Sequence, residues 1–146
     1  MTVWLTLDSF CQLCFELAAQ ASWITQEPIP HFDTRFPGRL EACLDTPRQT
    51  FDGQLLYSTL IDQAAMLFYL LNKNHPFANG NKRIALTALL VFLFLNGKWI
   101  AAGQDELYEF AIRVAASEAR DKDRIVHDIK GFIAAHLIEV RRPSPS

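Results

Sequence analysis

The sequence predicts an all-α domain: a bundle of about six helices around a central apolar one, with a small β-hairpin as a flap. Three observations carry this expectation. Residues 84–95 form a run too apolar to sit anywhere but in a core, yet too short to span a bilayer and interrupted by Thr87. The segments on either side of it carry apolar residues at the i, i+3, i+4, i+7 spacing of one buried helix face. The chain has 146 residues of which 50% are hydrophobic, enough to bury a core in one domain.

In chain order, Thr6 is placed to cap a first helix that runs to about Gln20, with Phe10, Leu13, Cys14 and Leu17 as its stripe. Cys11 and Cys14 form a Cys-x-x-Cys, but no second pair or nearby histidine completes a zinc site, so Cys14 reads as a small core residue. Residues 25–34 hold Pro28 and Pro30 with little periodicity and read as an extended loop, in which His31 faces solvent. Residues 37–44 form a short helix with Leu40, Cys43 and Leu44 inward. In residues 46–57 the Asp52-Gly53 turn signal, flanked by Gln49, Thr50 and Phe51, predicts the hairpin. Ser58 caps a third helix whose face is Leu60, Ala64, Leu67, Phe68 and Leu71 and which ends near Asn72. The fourth, central helix runs from about Gly80 to Asn96, with Phe92 and Phe94 in the core and Gly97 as its stop. Gly103 or Gln104 opens a fifth, with Leu107, Phe110, Ala111 and Val114 buried. Asp121 caps a sixth, with Ile125, Ile129, Phe132, Ile133 and Leu137 inward. The domain is expected to cover 1–140, followed by a disordered Pro/Ser tail, 141–146.

Chemistry concentrates between the third and fourth helices. Pro76 disfavours a helical conformation at His75, so residues 75–79 form a loop. Gly80 and Asn81 are residue types that start helices, Asn by capping and Gly by letting a ligand approach the backbone. Lys82 and Arg83 then fall in the first turn, where cations oppose the macrodipole; an anion at the helix N-terminus would cancel that cost. A histidine in a loop beside an anion site can take a proton from an incoming hydroxyl. Asn79 offers an oxygen to a metal-bound phosphate, as a weaker ligand for Mg²⁺ than a carboxylate. The implied reaction transfers a group from a nucleoside triphosphate to a hydroxyl.

His75-Pro76-Phe77-Ala78-Asn79-Gly80-Asn81-Lys82-Arg83 resembles the signature of the Fic/Doc (Fido) superfamily, broadly His-x-Phe-x-(Asp/Glu/Asn)-(Gly/Ala)-Asn-(Gly/Lys)-Arg. Lys82 in place of a second glycine makes it similar to the Doc, or death-on-curing, branch. Residues 51–57 and 92–97 also look Doc-like, so the resemblance covers most of 1–140. It implies a Fido-type bundle with His75 as the base and Phe77 as the buried anchor of the loop. Gly80 and Asn81 become an anion cradle, and Lys82 and Arg83 the holders of the nucleotide phosphates. Asn79 falls where many members place a metal-binding acid, and Gln49, Thr50 and Phe51 become the strip that aligns the target by strand-like pairing. The AMP-transferring Fic branch usually has a second arginine where this chain has Leu86. The resemblance therefore implies a toxin-like kinase that uses ATP and Mg²⁺ on a protein Ser/Thr hydroxyl, with elongation factor Tu the family's target. AMP transfer and a non-catalytic nucleotide- or partner-binding module are the alternatives. No Ser/Thr-x-x-x-Glu-(Gly/Asn) inhibitory pattern occurs, so restraint is expected from a separate Phd-type antitoxin whose disordered segment folds on binding.

Bulk properties exclude other classes. Net charge is −2 with 14 basic and 16 acidic side chains, and the pI is about 6.0, which disfavours nucleic acid as the main partner. No signal pattern or membrane span is read at the N-terminus, and three cysteines give no disulfide framework, so the cytoplasm is expected. The cluster 118–124 mixes both signs and reads as a solvated turn. His127 and His136 lie about two and a half helical turns apart and cannot share a metal.

Overall fold

The structure is a computed structural model, and it describes residues 1–20 and 28–144. The start of the expected 25–34 loop and the last two tail residues lie outside the described residues. Among the described residues the fold consists of six helices and two small antiparallel strand pairs.

Helix α1 spans 7–20 as three consecutive pieces: Leu7–Ser9, a π-wound Phe10–Phe15, and Glu16–Gln20. Thr6 caps it as expected: its hydroxyl accepts from the Ser9 N–H at 3.1 Å, and the Ser9 hydroxyl accepts from the Thr6 N–H at 2.9 Å. The π winding adds residues to each turn and rotates the remainder of the helix about its axis. The buried face is therefore Phe10, Cys14, Phe15 and Ala18, while Leu13 and Leu17 of the expected stripe are 39% and 51% exposed.

Helix α2, Arg39–Asp45, buries Leu40, Cys43 and Leu44 as their spacing predicts. A 3-10 turn, Thr46–Arg48, leads into the hairpin of β1, Thr50–Phe51, and β2, Gln54–Leu55, in the register Thr50↔Leu55 and Phe51↔Gln54. Its two turn residues, Asp52 (φ 52°) and Gly53 (φ 77°), both have the positive φ that a type I′ connection requires.

Helix α3 is Leu60–Lys73, and its cap is Thr59, not Ser58. The reason lies three residues on. Asp62 returns a carboxylate oxygen to the Thr59 N–H (3.4 Å) while its own N–H donates to the Thr59 hydroxyl (3.1 Å). Three residues after Ser58 stands Ile61, which can return nothing. Helix α4, Asn81–Leu95, is buried without interruption from Arg83 to Leu90, and again at Phe92 and Leu93. Contrary to expectation Phe94 is 40% exposed; it meets Trp99 edge-on at 6.3 Å.

Helix α4 owes its central position to its neighbours: α3, α5 (Gln104–Ala116) and the π-wound part of α1 all pack on it. Helix α6, Lys122–His136, packs on α3, and Phe68, Phe110 and Phe132 stack in series with centroids 6.1 and 4.2 Å apart. Asp121 holds the cap position of α6 without a side-chain hydrogen bond to the helix backbone, its carboxylate pairing instead with Arg124 at 3.4 Å. The helix ends one residue before Leu137, which the spacing had placed on it. Instead Leu137–Glu139 forms β4, paired with β3, Lys98–Ile100, in the register Lys98↔Glu139, Trp99↔Ile138 and Ile100↔Leu137. Lys98 and Glu139 close that pair with an ion pair of 2.9 Å. The N-terminal segment is held against the end of α4, where the Asn96 amide accepts from the Val3 N–H (2.7 Å) and donates to the Val3 carbonyl (3.0 Å).

Candidate active site

The turn that carries His75 begins where α3 stops. Lys73 reaches away from it, donating to the carbonyls of Ala115 (3.0 Å) and Ser117 at the C-terminal end of α5, where a cation complements the helix dipole. Asn74 is the C-cap, its N–H still bonded to the Leu70 carbonyl at 2.8 Å. His75 then enters the left-handed region, φ 46°, with Pro76 next to exclude the helical alternative. A non-glycine residue held there costs about 1–2 kcal/mol, so neighbouring bonds must sustain it. Two are present: the Phe36 N–H donates to the Pro76 carbonyl at 2.9 Å, and an Arg39 Nη1–H donates to the His75 carbonyl at 3.3 Å. The histidine itself is exposed rather than walled in by apolar groups.

Beyond it the chain is pinned from inside. Phe77 is 1% exposed and lies among Phe15 and Phe32, at centroid distances of 5.4 and 6.0 Å. The family resemblance implies this anchor; what it packs against is set by the π winding, which turns Phe15 inward. Asn81 then closes the loop. Its amide oxygen accepts from the Phe77 N–H (3.1 Å) and its amide nitrogen donates to the Phe77 carbonyl (2.7 Å), so one side chain satisfies both backbone groups of one residue. This differs from the capping role expected of Asn81. The N-cap is Gly80, with φ 77° and no side-chain bond, and its carbonyl accepts the first helical bond from the Ile84 N–H at 2.9 Å. Position 80 admits only glycine for a second reason: a Cβ there would lie 2.8 Å from Ile29 Cγ1. The close approach that Gly80 allows is thus taken by Ile29, from the Pro28-Ile29-Pro30 segment.

Asn79 is exposed, Lys82 is half-buried, and Arg83 is buried on α4, its carbonyl accepting from the Thr87 hydroxyl at 2.8 Å. His75, Asn79, Gly80, Asn81, Lys82 and Arg83 therefore occupy one turn-and-helix start with a basic first turn. Gln49, Thr50 and Phe51 belong to a different element, the hairpin and its entry, and all are exposed, Phe51 at 75%. Among the described residues β1 pairs with β2 alone, which leaves it an outer edge with main-chain groups available to a third strand. Sequence reasoning missed Phe36, Arg39 and Ile29, which brace the loop from positions 36–51 residues earlier in the chain; no local pattern announces such contacts.

The thiols offer no competing chemistry. Burial pushes Cys14 and Cys43 up to about 12, and Cys11 is raised by burial and by the carboxylates of Glu16, Asp8 and Asp33. Among the described residues no three His, Cys, Asp or Glu side chains gather as metal ligands. An apolar cavity of about 570 Å³ lies between Leu17, Thr87, Leu90, Val91, Phe94 and Trp99, none of them part of the loop.

Two comparisons with known proteins bear on this chain. A sequence model described as the Fic/DOC family matches residues 4–93. The curated protein "Toxin Doc" of Mycolicibacterium smegmatis (strain ATCC 700084 / mc(2)155) is 37% identical over 99 residues, which is 67% of this chain and 76% of that protein. No solved structure matches.

Proposed function

This chain belongs to the Fic/DOC family, and on that premise we propose that it is a Doc-like toxin of a toxin-antitoxin system, transferring the γ-phosphoryl group of ATP to a Ser or Thr hydroxyl of a target protein. The observation that carries the reading is an exposed His75, held at positive φ on a loop whose far end opens directly into a helix with Lys82 and Arg83 in its first turn. His75 accepts the hydroxyl proton as the new O–P bond forms, the bond between the γ-phosphorus and the bridging oxygen breaks, and ADP leaves. Lys82, Arg83 and the N-terminal backbone N–H groups of α4 hold the phosphates, while Gly80 and Asn81 set the course of the loop into that helix, Gly80 at positive φ and Asn81 through its bonds to Phe77. Asn79 is exposed beside them and its amide oxygen suits Mg²⁺, which keeps most of its waters and binds substrate phosphates. When bound there the ion would neutralise phosphate charge.

Phosphoryl transfer is favoured over AMP transfer because Leu86 stands where the AMP-transferring branch places a second arginine, and Leu86 is 1% exposed in the core. The free edge of β1, with Gln49, Thr50 and Phe51, receives an extended segment of the target. By family analogy the target is elongation factor Tu and the outcome is arrest of translation. Residues 1–140 form the working domain and 141–146 a tail. Restraint comes from a separate Phd-type antitoxin, since the chain holds no inhibitory Ser/Thr-x-x-x-Glu-(Gly/Asn) pattern of its own. The site of action is the cytoplasm, with neither nucleic acid nor membrane as partner; no helix among the described residues is long and apolar enough to cross a membrane.

The deciding experiment incubates the protein in cell extract with ATP labelled separately on the α- and γ-phosphates. Label on a protein from the γ position alone is expected, and His75→Ala should abolish it. Label from the α position would mean nucleotide transfer, and binding of ATP without any labelling would mean a non-catalytic module.

A further inference from the structure

We propose that Arg39, outside the nine-residue signature, is a positioning residue for the transfer reaction: it fixes the backbone conformation from which His75 presents its imidazole. The proposal rests on the reading of His75 as the base and goes beyond it. A residue before proline ordinarily takes an extended conformation, yet His75 sits at φ 46°. Its carbonyl accepts from Arg39 Nη1 at 3.3 Å, and the next carbonyl, that of Pro76, accepts from the Phe36 N–H at 2.9 Å. One short turn, 36–39, thus grips two consecutive peptide groups. That turn is prepared for the task. The Arg39 N–H donates to the Phe36 carbonyl at 3.2 Å, and the Arg39 guanidinium lies 4.6 Å from the centre of the Phe36 ring, which fixes its direction. Glu41 holds the turn from behind, accepting from the Gly38 N–H at 2.9 Å and pairing with Arg35 at 3.2 Å. No carboxylate among the described residues pairs with Arg39.

Without the guanidinium, His75 would relax toward the extended region, swinging its ring relative to Lys82 and the start of α4. Such misplacement lowers the rate of a proton transfer and leaves nucleotide binding intact, because Lys82 and Arg83 are carried by α4 and not by the turn.

The test uses the full chain and the variants Arg39→Ala and Arg39→Lys, with three readouts: transfer of γ-label to protein, affinity for ATP by calorimetry, and the three-bond amide coupling and Cα shift of His75 by NMR. For Arg39→Ala we expect kcat to fall on the order of tenfold to a hundredfold, affinity for ATP to stay within about twofold, and the His75 signals to move toward extended values. Arg39→Lys, which can still reach one carbonyl, should recover part of both losses. Unchanged His75 signals in Arg39→Ala would overturn the proposal, as would shifted signals with full transfer. If the unsubstituted protein transfers no label, the functional reading fails on its own account. The NMR arm still shows whether Arg39 sets the conformation of His75.

Discussion

At residue 81 an amide that reads in sequence as a helix cap instead mirrors the backbone of Phe77, giving and taking one hydrogen bond each. The residue type is legible and its partner is not, because an Asn at a helix start can turn its side chain either way and only the buried ring of Phe77 decides which. The same holds at position 80, where glycine is expected but Ile29 as the neighbour that enforces it is not. Removing the clamp exposes two half-buried backbone groups to rearrangement. Asn81→Ala should therefore destabilise the protein by about 1–3 kcal/mol, measured by urea denaturation. Asn81→Asp, which keeps the acceptor for the Phe77 N–H and loses the donor, should fall between the two.

Among the elements, α3 shows how a one-residue error arises and how it can be checked. Ser58 and Thr59 are both capping types, and what separates them is the return bond from Asp62. Thr59→Ala should cost about 1 kcal/mol, while Ser58→Ala should leave the denaturation midpoint where it was. Asp62 also makes the start of α3 sensitive to acid. Burial raises its pKa, but the hydrogen bond and charge of Lys130, 3.0 Å away, and the bonds from Thr59 outweigh it, so the carboxyl titrates below its ordinary value. A carboxylate whose pKa is lower when folded contributes stability that is complete above its unfolded value of about 4 and is lost as pH falls through the folded value. Melting temperatures followed from neutral pH downward should show this loss, and Asp62→Asn should flatten the curve at its acid end. In α1, by contrast, the sequence carries a regular stripe that the π winding overrides, and no residue type there marks the change.

For the whole molecule, the all-α layout was readable because one run of twelve residues, 84–95, can only be surrounded, and because the flanking stripes are long enough for their period to show. The pairing of β3 with β4 was not, since three-residue strands have too little length for a pattern and these meet across more than thirty residues of chain. The centrality of α4 also limits how the site can be re-engineered. Leu86→Arg, which would restore the second arginine of the AMP-transferring branch, places a charge at a position 1% exposed and should cost several kcal/mol, seen as a large fall in melting temperature rather than a switch of the transferred group. Phe77 brings a different consequence. Its ring is shared with Phe15 of α1 and Phe32 of the following segment, so the motif loop is seated on α1, the helix whose regular bonding is interrupted by a π-wound stretch. Gentle warming that loosens α1 would unseat the loop while α3 and α4 remain intact, and the curve of heat inactivation should run several degrees ahead of the loss of helical circular dichroism.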